Sequence, residues 1–170
     1  MTSDPLADAH ALGAERWPGV VIDHDRFAAF VTARCGELEL AVVRCDQLYL
    51  TCACTVGDPL ALATFERTFG PVIDSALVRM ANAVTDADEI KQQVRERLFV
   101  GSAETPPRIA EYTGRGDLAG WVRAVAVRTA LNYRRAHVRE VSRDDADELA
   151  ALLPAAGSDP ELAALLESYR

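Results

Sequence analysis

From Leu118 to Arg139 the chain reads LAGWVRAVAVRTALNYRRAHVR, with no proline and no glycine after Gly120. A run this long, rich in Ala, Leu and Arg, has few alternatives to one continuous helix. Asp117 stands where its N-cap belongs. The turn Thr113-Gly114-Arg115-Gly116 precedes it, and its glycines can take φ > 0. Leu118, Val122, Val125, Ala126, Thr129 and Tyr133 recur at helical spacing and are expected to face a core. A second row carries Trp121, Arg128, Asn132, Arg135 and Arg139. An aromatic ring, an amide and guanidinium groups in one row can stack on a base, hydrogen-bond a base edge and touch phosphates. An ordinary solvated helix face also contains such residues, so the row by itself decides nothing.

Charge adds weight to the row. The whole chain has 18 basic and 26 acidic residues, a net of −8. Between Arg108 and Arg139 seven arginines stand against Glu111 and Asp117, a local net of +5 that leaves −13 for the remainder. An acidic protein that gathers positive charge on one helix and the loop before it carries the footprint of a polyanion binder.

The rest of the chain predicts an all-α fold. Residues 1 to about 13 read as disordered, and Trp17-Pro18-Gly19 as a turn or a helix start. Asp25 is expected to cap a helix over Arg26–Arg34 whose Phe27, Phe30 and Val31 share a face. A second helix is expected from Glu37 to Val56 with a break near Arg44, closed by Gly57 and followed by Pro59 at the next helix start. Leu60–Met80 carries Phe65, Phe69, Ile73 and Leu77 at steps of four, with Pro71 suggesting a kink or two abutting helices. Thr85 and the acids that follow it open another helix, which faces inward through Ile90, Val94 and Leu98 and ends at Gly101. Ser102–Arg108 is a loop stiffened by Pro106-Pro107, and Ile109, Ala110 and Tyr112 are expected to pack it back on the domain. Beyond Arg139, Asp144, Asp145, Asp147 and Glu148 form an acidic cluster, LLPAAGSDP reads as linker, and Pro160–Tyr169 reads as a further helix. There is no internal repeat.

Enzyme motifs are lacking: no GxSxG, no phosphate-cradling glycine loop, no HExxH and no paired Cys-His. No catalytic residue and no cofactor is assigned. Cys35, Cys45, Cys52 and Cys54 contain no CxxC, and His10, His24 and His137 are scattered. Buried reduced thiols are therefore expected rather than a metal site. No apolar run approaches the roughly 18 residues of a membrane span, and the acidic MTSDPLADAH has no basic n-region, so a cytoplasmic location is expected.

The sequence W-x-x-x-x-A-x-R-x-A-L-N-Y-R-R from Trp121 to Arg135, following a short basic Gly-containing loop and an earlier helix, resembles region 2 of bacterial sigma factors of the extracytoplasmic-function group. The resemblance covers roughly Leu48 to Arg139. It implies an all-α helical bundle with a long antiparallel helix hairpin, formed by helices starting near Asp86 and Leu118. An extra N-terminal helical extension is expected over residues 1–45, a region 2-like domain over 46–140, and an acidic linker with a C-terminal helix over 141–170. The implied partners are core RNA polymerase and the single-stranded non-template strand of the promoter −10 element, with an anti-sigma factor as a further candidate. The DNA-binding residues implied are Arg115, Asp117, Trp121, Arg128, Asn132, Tyr133, Arg134, Arg135 and Arg139, with a pocket for a flipped base in the Ile109–Asp117 loop. Asn132 stands where the family often has an acidic residue. The polymerase-binding helix usually approximates D-A-E-D-hydrophobic-V-Q-E, which places Asp86, Glu89, Gln92, Gln93 and Glu96 on that surface. Gln93 replaces a carboxylate and Lys91 an apolar residue. The family's second DNA-binding domain needs about 50 to 60 residues after a linker, and 31 acidic-rich residues follow Arg139. That domain is therefore expected to be missing, either because the chain is cut short or because it is naturally of one domain. Two rival readings stand beside this one: a helical protein–protein module whose Arg face binds an acidic partner, and a helical nucleic-acid regulator that never meets polymerase.

Overall fold

The computed structural model describes residues 4–35, 40–80, 87–102 and 104–140. Among these the protein is all-α, with six α-helices, short 3-10 turns and no strand. The helices are α1 (Pro5–Arg16), α2 (His24–Cys35), α3 (Cys45–Thr55), α4 (Pro59–Met80), α5 (Ala87–Phe99) and α6 (Leu118–Glu140). Described residues within Met1–Gly70 and Glu96–Leu118 form one compact unit, and those within Pro71–Arg95 and Ala119–Arg170 form a second. The boundary expected at 45/46 thus falls inside the first unit. The acidic cluster, linker and terminal helix expected over 141–170 lie outside the described residues.

The first unit is built around α3. Every residue from Leu48 to Cys54 is buried, so this helix has no solvent face and shows no amphipathic period. Both α1 and α2 pack on it. The helix α1 corrects the expectation of disorder before residue 13. Asp4 accepts from the Leu6 N–H at 3.0 Å and Pro5 opens the first turn, a start signal that needs no large apolar groups. Gly13 lies against Tyr49 of α3, which brings the two backbones close. Tyr49 then ties the unit together. Its hydroxyl donates to the Val20 carbonyl at 3.1 Å and accepts from the Ile22 N–H at 3.3 Å, while its ring meets His10 and Phe27. Trp17, Phe27, Phe30 and Val31 are all buried, as their bulk requires, and the Trp17 indole donates to the Asp46 carbonyl at 2.7 Å.

Local signals explain most helix ends. The α2 cap is Asp23, not Asp25: its carboxylate accepts from the Asp25 and Arg26 N–H groups at 3.0 and 3.1 Å. The helix expected from Glu37 is instead a short 3-10 turn at Leu40–Val42 followed by α3, with the break at Arg44; residues 36–39 lie outside the described residues. Gly57 at φ 76 closes α3, and the Asp58 carboxylate accepts from the Ala61 N–H at 2.7 Å to cap α4. Helix α4 passes through Pro71 without a secondary-structure break, and Phe65, Phe69, Ile73 and Leu77 are buried along it. The Thr85-Asp86 start of α5 lies outside the described residues. Ile90, Val94 and Leu98 are fully buried, and Gly101 at φ 69 turns the chain out, its N–H donating to the Glu96 carbonyl at 3.0 Å.

In the second unit Lys91 of α5 pairs with Asp74 of α4. Helix α6 buries Val122, Ala126, Thr129 and Ala130. Among the described residues no helix is long and apolar enough to cross a membrane.

Candidate nucleic-acid interface

The loop before α6 is held from several sides within the first unit. Pro107 leads into a 3-10 turn over Arg108–Glu111, where Arg108 pairs with Glu111. Ile109 and Tyr112 are fully buried, so these two side chains anchor the loop rather than line an open pocket. From α2, the Arg34 Nε donates to the Ala110 carbonyl at 2.8 Å while its guanidinium lies 3.4 Å from the Phe30 ring centroid. Burial there pulls the Arg34 pKa below its usual value, against the neighbouring Cys52 and Cys35. The Cys35 thiol donates to the Thr113 carbonyl at 3.6 Å. The Arg44 N–H donates to the Gly114 carbonyl at 2.9 Å, and Gly114, at φ 75, passes so close to Leu48 that a Cβ would sit 2.8 Å from Leu48 Cδ1.

Gln47 completes the clamp. Its Oε1 accepts from the Leu118 N–H at 2.8 Å and lies 2.7 Å from the Tyr112 hydroxyl, and its Nε2 donates to Asp117 Oδ1 at 2.9 Å. The Tyr112 hydroxyl also lies 2.8 Å from the Gly116 carbonyl, so its single proton is shared between two acceptors. Asp117 is therefore at the N-cap position, but its carboxylate meets Gln47, and Gln47 meets the first helical N–H. Arg115, Gly116 and Asp117 are the exposed part of this turn. Burial raises the Cys35 pKa, with the Arg115 and Arg34 charges pulling the other way.

Along α6 the expected row is only partly presented. Trp121 is buried at 6 % exposure, Arg128 is half-buried, and Asn132 and Arg135 are exposed. At 100° per residue these four lie within about 60° of one another, so the row is one line that is covered at its start and open further on. Tyr133 and Arg134, at 7 % and 8 %, belong to the covered side. The expectation of a Trp121 ring and an Arg134 guanidinium offered to solvent is thus corrected, and burial lowers the Arg134 pKa. The two lie about 140° apart around α6, Trp121 on the line of Asn132 and Arg135 and Arg134 well away from it, so each is covered separately. The Arg139 side chain lies outside the described residues.

On α5, Glu89, Gln92 and Glu96 are exposed, Gln93 is half-buried, and Asp86 lies outside the described residues. Glu89, Gln92 and Glu96 follow at helical spacing, so they form one polar line opposite Ile90, Val94 and Leu98. All four cysteines are buried free thiols; burial pushes the Cys52 thiol up to about 11 and the Cys54 thiol up to about 12. The hold of Gln47 and Arg34 on the loop had no local signature in the sequence, since the loop groups they meet lie 65 to 76 residues away. No protein-family model, curated protein or solved structure matches the chain.

Proposed function

We propose that this chain acts in transcription initiation as a sigma-factor region 2-like module, binding core RNA polymerase and the single-stranded −10 element of a promoter. The observation that carries this reading is the Arg128–Asn132–Arg135 line, which opens to solvent on the later half of α6 in a chain of net −8. Arg128 and Arg135 supply phosphate contacts, which give affinity without sequence information. Asn132 offers a donor and an acceptor to one base edge. Arg115 adds positive charge on the clamped turn. The polar line on α5, with Glu89, Gln92, Gln93 and Glu96, is the surface offered to polymerase. The role is binding and strand separation rather than covalent chemistry, in the cytoplasm where polymerase works.

The test is fluorescence anisotropy on a matched −10-like strand and a scrambled one at two salt concentrations. Arg135→Ala should weaken both about equally and flatten the salt slope by about one. Asn132→Ala should cost about 1–3 kcal/mol on the matched strand and little on the scrambled one. Equal losses on both strands for both variants would reduce the helix to an electrostatic surface. A second reading, an Arg face for an acidic protein partner, is favoured by the burial of Trp121, which withdraws the stacking ring. Trp121→Ala separates the two, because a ring that swings out to stack should be missed on the matched strand alone.

A further inference from the structure

We infer that the acidic segment 144–148, which follows α6 in the chain, docks back on the Arg128–Asn132–Arg135 line of that helix as an internal counter-charge. The docking uses the surface assigned above to strand contacts, but it does not depend on which polyanion that surface meets.

Charge from residue 119 onward is divided along the chain. Residues 119–140 carry five arginines against Glu140, a net of +4. Residues 141–170 carry Arg143 and Arg170 against seven carboxylates, a net of −5. Asp144, Asp145, Asp147 and Glu148 gather four of those carboxylates close behind the helix. On α6 the receiving line is open: Asn132, Arg135 and Ala136 are exposed and Arg128 is half-buried. Among the described residues no carboxylate pairs with Arg128 or Arg135. Val125 and Leu131, both half-buried, border the line on either side. Guanidinium groups set beside aliphatic ones fit an acidic peptide that also brings apolar groups, and Leu149, Leu152 and Leu153 directly follow the four carboxylates.

The chain is long enough to make the contact. At 1.5 Å per residue, Arg135 and Arg128 lie about 8 Å and about 18 Å back along the helix from Glu140. Residues 144–148 follow Glu140 by four to eight residues, and extended chain covers about 3.3 Å per residue, a reach of about 13–26 Å. Each exposed ion pair is weak alone, because water screens it. The short covalent connection makes the encounter intramolecular, so several weak pairs form together. Salt should release the contact, since the Debye length shrinks from about 10 Å at 0.1 M to about 3 Å at 1 M.

The test labels arginines of the full chain with phenylglyoxal, read residue by residue by peptide mass spectrometry. The segment variant carries Asp144→Asn, Asp145→Asn, Asp147→Asn and Glu148→Gln. The control variant carries Glu15→Gln, Asp25→Asn, Asp88→Asn and Glu104→Gln, all at exposed sites, and makes the same change in net charge. Arg67, exposed on α4, is the internal reference. At low salt the Arg135 labelling rate relative to Arg67 should rise about threefold in the segment variant, as for a site covered about two-thirds of the time. The control should label like the wild type. Raising salt from about 0.1 M to about 1 M should bring the wild type up to the segment variant. A rate that the segment variant leaves unchanged, or that the control raises equally, would overturn the docking. So would a wild type whose relative Arg135 rate ignores salt, a result that needs no variant to fold. A protein that binds no strand but passes the labelling test would lose the strand reading and keep this one.

Discussion

Replacing Gly13 by Ala is expected to destabilise the protein, against the usual preference of helices for alanine. A Cβ at this position would lie 2.4 Å from both Cβ and Cγ of Tyr49 and 2.6 Å from Cδ2. Carbon atoms in contact sit about 3.5–4.0 Å apart, so either the ring or the helix must retreat by about 1 Å. The ring cannot swing away, because its hydroxyl is held by Val20 and Ile22 and its faces by His10 and Phe27. Helix α1 must therefore lift, straining the Trp17 indole bond to the Asp46 carbonyl. Overpacking of this kind costs about 1–3 kcal/mol, while alanine recovers about 1 kcal/mol of helix propensity. The net loss of up to about 2 kcal/mol corresponds to a fall in Tm of up to about 8 °C. The assay is a thermal melt by circular dichroism, with Ala14→Gly at an exposed site of the same helix measuring propensity alone. A Gly13→Ala protein that melts at or above the wild-type temperature would show that propensity wins and that α1 and α3 do not approach this closely. The consequence would reach the site, since α3 carries Gln47.

Deleting residues 1–45 should lower Tm sharply, because Phe27, Phe30 and Val31 each contribute about 1.5–3 kcal/mol by burial; a melt superimposable on the wild type would make the extension a loose appendage. Changing Gln92 and Glu96 together to Arg should weaken pull-down of core polymerase while helix content stays constant, and undiminished capture by the folded variant would remove α5 from the docking surface. The buried thiols give a pH dependence of definite sign. Their folded pKa values are raised from the ordinary 9.0 to about 11 for Cys52 and about 12 for Cys54, so the folded state favours the neutral thiol. That stabilisation is complete below pH 9 and is lost as pH rises through the folded values. Urea midpoints should fall between about pH 9 and 12 in the wild type, and fall less in a Cys52→Ala, Cys54→Ala variant. Parallel profiles would place both thiols in a wetter setting.

The all-α class and the helices with one apolar face were legible in the sequence, because a 3.6-residue period reports a single buried stripe. Phe65, Phe69, Ile73 and Leu77 on α4, and Ile90, Val94 and Leu98 on α5, are buried where their spacing placed them. Residues with special local chemistry were legible too: Gly57 and Gly101 end their helices at positive φ because side-chain-bearing residues rarely adopt it. What escaped depends on neighbours distant in sequence. Helix α1 has only small residues, Ala9 and Gly13, on its buried side, and their worth comes from the close approach of Tyr49. Helix α3 was expected as part of a longer helix, but it is buried all round, so no period showed that it would be the enclosed centre of its unit. Trp121 shares a line with Arg128, Asn132 and Arg135, and helical spacing cannot say which end of a line is covered. The position of Asp117 just before α6 was legible, but only the tertiary structure brings Gln47 to its carboxylate across 70 residues. The sequence by itself determined where the helices with a single apolar stripe form and which residue types sit on each of their faces, since those depend on neighbours within one or two turns. The tertiary structure decided which faces stay open and how the loop is held, since burial and long-range hydrogen bonds exist only once distant segments meet.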